Sequence, residues 1–223
     1  MNKKTISISL ATLLISTFSM AMAPSSYSAP ATRDTSKVIS REMKVDQFDA
    51  VDVSGGLRVS LKLGASPKVL VECNEKSMNQ VKVNVTKNIL SISTPTKFTA
   101  SHAQVTIIVP RLSRINASGF VEAKLEQMKG SNLHIESHNN CTVESTGMVE
   151  KLNVTADGQS LLKLENLKSN DCVASVSGKT FAKVFAANTL KASAQGESVL
   201  NVRGNPKILS KNIASTSFFK MLK

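Results

Sequence analysis

Aromatic residues are scarce in this sequence. Tryptophan is absent, tyrosine occurs once, and aromatic residues make up 4% of the 223-residue chain, although hydrophobic residues reach 41%. Small aliphatic side chains must therefore fill the interior, which favours a narrow structure over a broad globular core. Nucleic-acid binding is also disfavoured, because proteins that bind single strands stack the bases on aromatic side chains.

Residues that commonly carry chemistry are equally few, with three cysteines and three histidines. An odd number of cysteines excludes a complete disulfide framework. Cys73 and Cys172 are in phase with apolar neighbours and are predicted to be buried, whereas Cys141 follows a turn and is expected to be more exposed. His134 and His138 would lie about 13 Å apart on an extended strand, which is too far for one metal ion. The sequence therefore predicts no catalytic residue, no metal site and no cofactor.

A long apolar run occurs only near the N-terminus. Lys3 and Lys4 precede an apolar segment at 6–20, and small residues follow it, which is the pattern of a signal peptide. No later run is long enough to span a bilayer as a helix. We therefore expect an exported protein that lies in the periplasm, outside the cell or on the cell surface.

Cleavage is expected after Ala31, with cleavage after Ala21 as the alternative, because small residues precede both bonds. Residues 1–31 are then the signal peptide and 32–44 a polar leader. Removal of the signal peptide leaves 26 basic and 16 acidic residues, which gives a net charge of +10. Such a charge favours anionic polymers as partners, although scattered lysines also serve simply to solvate strand faces.

Residues 111–204 contain a repeat with a period of about 20 residues. Apolar side chains alternate with polar ones on both sides of a small turn residue, which predicts strand–turn–strand units. Self-similarity of this kind predicts stacked coils around a shared apolar axis. The turn residues follow one another at nearly even intervals: Gly119, Asn139, Gly158, Gly178 and Gly196. The predicted fold is therefore all-β, a parallel β-helix or β-solenoid of about five coils.

Glycine predominates at these turns because a bend between two inward-pointing strands commonly requires a positive φ. Asn139 is the one substitute, and asparagine tolerates that conformation better than most residues. A run of β-hairpins would instead place turns roughly every 8–12 residues. Equivalent positions of successive units would then not share the same residue type.

The segment 45–110 is predicted to be a β-rich first half. The pair Gly55–Gly56 indicates a tight turn between two strands, and 74–80 is a longer connection with one helical turn. A polar loop is expected at 94–103. Residues 211–223 are assigned to a C-terminal tail.

Several short motifs occur in the order found in one known family. They are FDAVDV at 48–53, NILSI at 88–92, VPRL at 109–112, Ser-Gly at 118–119 and 177–178, and GNP at 204–206. Together they resemble the GIN domain, the head domain of auto-transporter adhesins, over roughly residues 45–210. The resemblance implies a β-helical fold on an exported bacterial protein that acts in adhesion. The chain departs from the family pattern at 139–140, where Asn-Asn replaces Ser-Gly.

Equivalent positions of successive repeats form columns along the predicted stack. A binding site is expected in the columns that point outward, because inward side chains only pack against one another. Lys124, Lys163 and Lys183 occupy equivalent outward positions, five residues after their turns. We therefore favour a non-enzymatic exported module that binds or adheres through this face to a polysaccharide or another anionic cell-surface polymer. Repeated weak contacts give such a face useful avidity, and a homo-oligomer would increase it.

The alternative is a carbohydrate-active enzyme, a polysaccharide lyase or hydrolase on the same scaffold. It would need a groove that holds several carboxylates within about 10 Å of one another. The outward acidic residues are instead scattered singly along the repeats: Glu122, Glu136, Glu144, Asp157 and Glu165.

Export is testable directly. N-terminal sequencing of protein recovered from the periplasm or the medium is expected to begin near Thr32 or near Met22, after removal of the basic and apolar segments. Recovery of the full-length chain from the cytoplasm alone would contradict the prediction.

Overall fold

The computed structural model describes residues 37–95 and 103–222. Of these residues 72% lie in β-strands and 3% in a helix, which confirms the all-β class. The predicted signal peptide, most of the polar leader and residues 96–102 of the predicted polar loop lie outside the described residues. Across the same ranges we find no helix with the length and apolar composition of a membrane span.

Alternating apolar and polar residues produce the strands, because successive side chains point to opposite faces of a sheet. A short 3-10 helix, Glu75–Gln80, lies in the connection predicted to contain a helical turn, and the Asn74 side chain caps it by accepting a hydrogen bond from the Lys76 N–H. The strands of the described residues are β1 Val38–Met43, β2 Ala50–Leu63, β3 Lys68–Asn74, β4 Lys82–Thr86, β5 Ile89–Ser93, β6 Ala103–Val109, β7 Arg114–Asn139, β8 Thr142–Ala156, β9 Leu161–Val176, β10 Phe181–Phe185, β11 Thr189–Ala194, β12 Val199–Arg203, β13 Lys207–Ile213 and β14 Phe218–Leu222.

From β7 onward the strands stack in parallel, each on the strand about one repeat earlier. β7 pairs with β8 and β8 with β9, while β9 pairs with both β10 and β11. β10 continues to β12 and β14, and β11 continues to β13. One column of direct partners consists of Ala123, Val143, Leu162, Ala182 and Leu200. Each member stands at the same distance along the chain from its turn residue, so the pairing reproduces the spacing found in the sequence.

The first half of the chain joins this stack through β2. Residues 50–62 pair in parallel with 114–126 of β7, although β3 to β6 lie between them in the sequence. On its other edge β2 pairs with β5 and β6, and the antiparallel strands β4, β3 and β1 follow outward. The backbone groups of β2 are therefore paired on both sides, and β1 and β4 form the outer edges of the sheet at this end.

The glycine pair in β2 differs from the expectation. The sequence predicts a tight turn between two strands at Gly55–Gly56, but β2 is continuous through both residues. Gly55 has a φ of 104° and lies in register with Gly119. The residues before and after it pair with β5, β6 and β7 and not with each other, so no local hairpin forms.

The stack also extends beyond the predicted repeats. β13 pairs in parallel with β11, and β14 pairs with β12. β14 and the end of β13 lie within the range 211–223 that the sequence assigns to a tail. Aliphatic residues form the partly covered inner positions there: Ile213 and Met221 pack against the core.

The inward columns form one continuous hydrophobic core. Leu133, Leu152, Cys172 and Leu190 follow one another in it and are at most 1% exposed. Each side chain packs on its neighbours in the repeats above and below. Because interiors are close-packed, truncation of one of these leucines to alanine would cost about 2–5 kcal/mol.

The expectation that Cys141 is more exposed is wrong, because this residue is 1% exposed. The second position after each turn points inward, and Ser160, Thr180 and Ser198 occupy it in the following repeats, where they too are buried. At this corner the Cys141 thiol lies 3.2 Å from the carbonyl oxygen of His138, and the Ser160 and Ser198 hydroxyls donate to the carbonyl oxygens of Asp157 and Val176. Such contacts compensate the burial of a polar atom.

The turn residues stack directly on one another. The φ angles of Gly119, Asn139, Gly158, Gly178 and Gly196 are 93°, 69°, 73°, 70° and 71°. A Cβ atom on Gly158 would lie 2.6 Å from the Cα of Asn139, and one on Gly178 would lie 2.8 Å from the carbonyl oxygen of Gly158. Glycine is therefore required at these two positions both by conformation and by the closeness of the preceding turn.

Replacing Gly178 with valine is expected to lower the free energy of unfolding by about 2–4 kcal/mol, because the β-branched side chain is strained at positive φ and collides with the Gly158 backbone. Denaturant unfolding measures the change. Lys179→Val adds the same side chain at the next, exposed position and is expected to change stability by less than about 0.5 kcal/mol. Equal losses in the two variants would contradict this account of the turn.

Candidate functional site

The three lysines singled out in the sequence lie in one outward column of the stack. Direct partners along it are Lys124, Glu144, Lys163, Lys183, Asn201 and Lys220. We call these six residues the lysine column. Neighbouring strands are about 4.8 Å apart, so the column is a regular row of functional groups at that spacing. Glu144 lies between the first two predicted lysines.

A shallow pocket of about 520 Å³ opens on this face at its N-terminal half. Lys124, Glu144 and Lys163 of the lysine column form part of its wall. Side chains of β2, β6 and the first residues of β9 complete it, together with residues of β7 and β8: Arg58, Val59, Ser60, Gln104, Glu122, Ala123, Thr142 and Leu161. The pocket therefore combines basic, acidic, hydroxyl and aliphatic groups.

Ion pairs neutralise most charges around the pocket. Arg58 Nε lies 2.9 Å from a carboxylate oxygen of Glu122, which belongs to the neighbouring strand. Lys62 and Lys124 approach Glu126 at 3.1 and 3.5 Å. The hydrogen bond from Lys62, with the charges of both lysines, lowers the pKa of Glu126. This carboxylate is consequently ionised at neutral pH and offsets part of the charge of Lys124.

Carboxylates neutralise less of the charge of the later lysines in the column. Lys183 lies 3.8 Å from Glu165 and its ammonium group is 5.8 Å from the centre of the Phe181 ring. Among the described residues, no carboxylate lies within 4.0 Å of the ammonium groups of Lys163 and Lys220. Positive charge therefore accumulates toward the C-terminal end of the column.

Lys220 is absent from the predicted site, because its position in the sequence assigns it to the C-terminal tail. The structure puts it in β14, opposite Asn201 of β12. Continuing the repeat once more past Gly196 would have brought Lys220 into the column.

His134, His138 and several acidic residues outside this face take part in pairs. Arg114 lies between Asp52 at 2.9 Å and Glu136 at 3.8 Å, and His134 lies 3.6 Å from Glu136. His138 Nδ1 is 2.8 Å from Asp157 of the next turn. In the described part of the chain, we find no group of three or more His, Cys, Asp or Glu side chains suited to a metal ion.

The thiols are poor nucleophiles. Burial raises the pKa of Cys73, of Cys141 and of Cys172, the last to about 12. The thiolate is the reactive form of cysteine, so these three side chains are protonated and inert at neutral pH. Their positions in the core are explained by packing alone.

Solved structures of the same fold come from bacteria. A crystal structure of a putative adhesin from Bacteroides fragilis NCTC 9343 is 22% identical, with a TM-score of 0.68, over 83% of this chain and 97% of that one. A putative adhesin from Parabacteroides merdae ATCC 43184 is 14% identical, with a TM-score of 0.54, over 85% and 98%. A putative lipid binding protein from Parabacteroides distasonis ATCC 8503 is 14% identical, with a TM-score of 0.50, over 85% and 98%. These likenesses establish a shared fold.

None of the curated proteins compared with the chain matches it significantly. A family model described as "putative auto-transporter adhesin, head GIN domain" matches residues 47–206, which include β2 to β12 and most of the lysine column. This match agrees with the resemblance of the short motifs, and the chain belongs to the GIN-domain family.

Proposed function

We propose that this protein is an exported, non-enzymatic binding and adhesion module, built as a β-solenoid, whose lysine column contacts an anionic surface polymer or glycan. The observation that carries the proposal is the alignment of Lys124, Lys163 and Lys183 on one outward face. Parallel pairing of each strand with its equivalent one repeat earlier supports the solenoid description. The family description supports adhesion at the outside of a bacterial cell.

A row of cations suits a polymeric partner for a geometric reason. Each strand adds one more side chain at a spacing of about 4.8 Å, so a chain with regularly placed anionic groups can contact several strands at once. Individual exposed contacts contribute less than about 1 kcal/mol. Several of them on one rigid face give substantial avidity, because each contact after the first is intramolecular.

The location follows from the same considerations. A signal peptide at 1–31 would deliver the protein to the periplasm, the cell surface or the medium, and anionic polymers are abundant partners there. Several copies that assemble into a homo-oligomer would align several lysine columns and raise avidity further.

A second function, carbohydrate cleavage, is favoured by one specific observation: Glu122 and Glu144 both line the shallow pocket. Lys124 is the direct partner of Glu144 and lies two residues after Glu122, so the two carboxylates are diagonal neighbours, at about 7–8 Å between backbones. Glycoside hydrolysis uses a pair of carboxylates that flank the bond to be cleaved, and these two acidic residues line one pocket. Arg58 Nε lies 2.9 Å from a Glu122 carboxylate oxygen and competes with any sugar in the pocket for this carboxylate, which opposes the enzyme.

Reversing the charge of the three lysines, Lys124→Glu with Lys163→Glu and Lys183→Glu, is expected to weaken binding to an acidic polysaccharide by about tenfold or more. Wild-type binding should also weaken between low and physiological salt, because exposed charges are screened beyond about 8–10 Å. Isothermal titration calorimetry at two salt concentrations measures both effects.

The matched control reverses three exposed lysines on other faces: Lys129, Lys168 and Lys191. It changes the net charge by the same amount and is expected to retain most of the affinity. Equal losses in both triple variants would show that only net charge matters. Salt-independent binding would contradict the electrostatic face, and polysaccharide turnover that is abolished by Glu144→Gln would establish the enzyme instead.

A further inference from the structure

The outward face of the lysine column changes character halfway along the stack. In its first half, charges of both signs pair across neighbouring strands, as between Arg58 and Glu122 and between Lys62 and Glu126. In its second half, a column of large apolar residues runs beside the lysine column. Each of these residues stands two positions before a member of the lysine column in the sequence. Direct partners along this column of apolar residues are Leu161, Phe181, Val199 and Phe218. We call these four residues the apolar column.

The apolar column is accessible on the surface. Phe218 is 65% exposed, and the other three members are half-buried although they point away from the core. On the other side of the lysine column, Phe185 and Leu222 flank Arg203 on neighbouring strands and are half-buried as well. The second half of the face thus combines basic side chains with apolar ones on both sides of the lysine column, and Arg203 adds a cation to the second side.

The charge of this half is of one sign. Lys163, Lys183, Arg203 and Lys220 are its basic residues, and Glu165 is the single acidic residue in the four strand segments 161–165, 181–185, 199–203 and 218–222. Glu165 is mostly covered and pairs with Lys183. An opposing surface would meet four cations and at most one partly neutralised carboxylate.

The positive charge of this half and its exposed apolar residues together indicate the kind of partner. A soluble acidic polymer satisfies the cations but covers little of an apolar column of leucine, valine and phenylalanine. A second copy bound through the same face would bring four cations against four cations, which is repulsive. An anionic lipid bilayer provides phosphate groups for the basic side chains and an apolar layer beneath them for the apolar ones.

We propose that this half of the face docks flat on an anionic lipid bilayer. The side chains of Phe181 and Phe218 enter the boundary between headgroups and acyl chains, and the ammonium groups of Lys163, Lys183 and Lys220 remain among the phosphates. Lysine suits this arrangement, since its long alkyl stem lies along apolar surface while its charged end stays in the polar layer. The inference rests on the proposed function, because both use Lys163 and Lys183 on an exported protein, and it assigns an anionic lipid surface as the partner of this half of the face.

The test is vesicle flotation with the exported chain. Binding is expected to mixed phosphatidylcholine–phosphatidylglycerol vesicles and to be about tenfold or more weaker to pure phosphatidylcholine vesicles. The variant with Phe181→Ser and Phe218→Ser keeps the charge and is expected to lose about tenfold or more in binding to the mixed vesicles. Its binding to a soluble acidic polysaccharide should be nearly unchanged.

The matched control is Phe120→Ser with Met148→Ser, which removes two large exposed apolar side chains that belong to neither column. It is expected to bind mixed vesicles like the wild type. If the double phenylalanine variant unfolds, Phe218→Ser alone replaces it, because that side chain is mostly exposed. Its expected loss of vesicle binding is several-fold.

The outcomes separate the two proposals. Polysaccharide binding without binding to mixed vesicles would overturn the lipid inference and leave the proposed function intact. Vesicle binding without polysaccharide binding would support the inference and remove the polymer from the proposed function. Equal loss of binding to both ligands in the phenylalanine variant would assign the apolar column to polymer binding and overturn the inference. A change in the oligomeric state of that variant, measured by analytical ultracentrifugation, would assign the column to self-association and overturn it as well.

Discussion

The parallel pairing of each repeat with the next is the constraint on which the rest of the structure depends. A shift of one residue would move every inward side chain to the outside, so the chain must absorb its irregular period at the corners. Between Leu125 and Met128 the register shifts, Gln127 adopts a φ of 54°, and each later residue pairs with a partner one position nearer in the sequence. The Gln127 N–H donates to the Thr146 hydroxyl at 3.0 Å, so the backbone group freed by the irregularity remains bonded. The apolar columns stay in phase on both sides of the corner.

The same constraint divides the side chains into two populations. Most inward positions are apolar, as at Leu133, Leu152 and Leu190, and small polar side chains such as Ser160 occur there only where the column meets a corner. Outward positions have no such requirement, and their composition is free to serve an interaction. This freedom explains how one face can carry salt bridges such as Arg58–Glu122 in its first half and cations beside phenylalanines in its second.

The low sequence identity among proteins of this fold agrees with the division into inward and outward side chains. The relatives of solved structure share the fold at 14–22% identity, which a repetitive apolar interior readily permits. A β-stack held by backbone hydrogen bonds and small aliphatic side chains tolerates extensive change outside, so the shared fold alone does not define the partner. The partner has to be inferred from the outward columns of this particular chain.

The sequence alone determined the period, the turn residues, the all-β class and the alignment of Lys124 with Lys163 and Lys183, because each follows from regular spacing along the chain. Only the tertiary structure decided which distant segments belong to the same stack. Four strands lie between β2 and β7 in the sequence and break the period, so Gly55 resembled a local hairpin turn although its partner is Gly119. Likewise, the burial of Cys141 and the ion pair between Arg58 and Glu122 depend on how each corner turns and on which strands meet. Such contacts join residues across repeats, and a single period along the chain does not specify them.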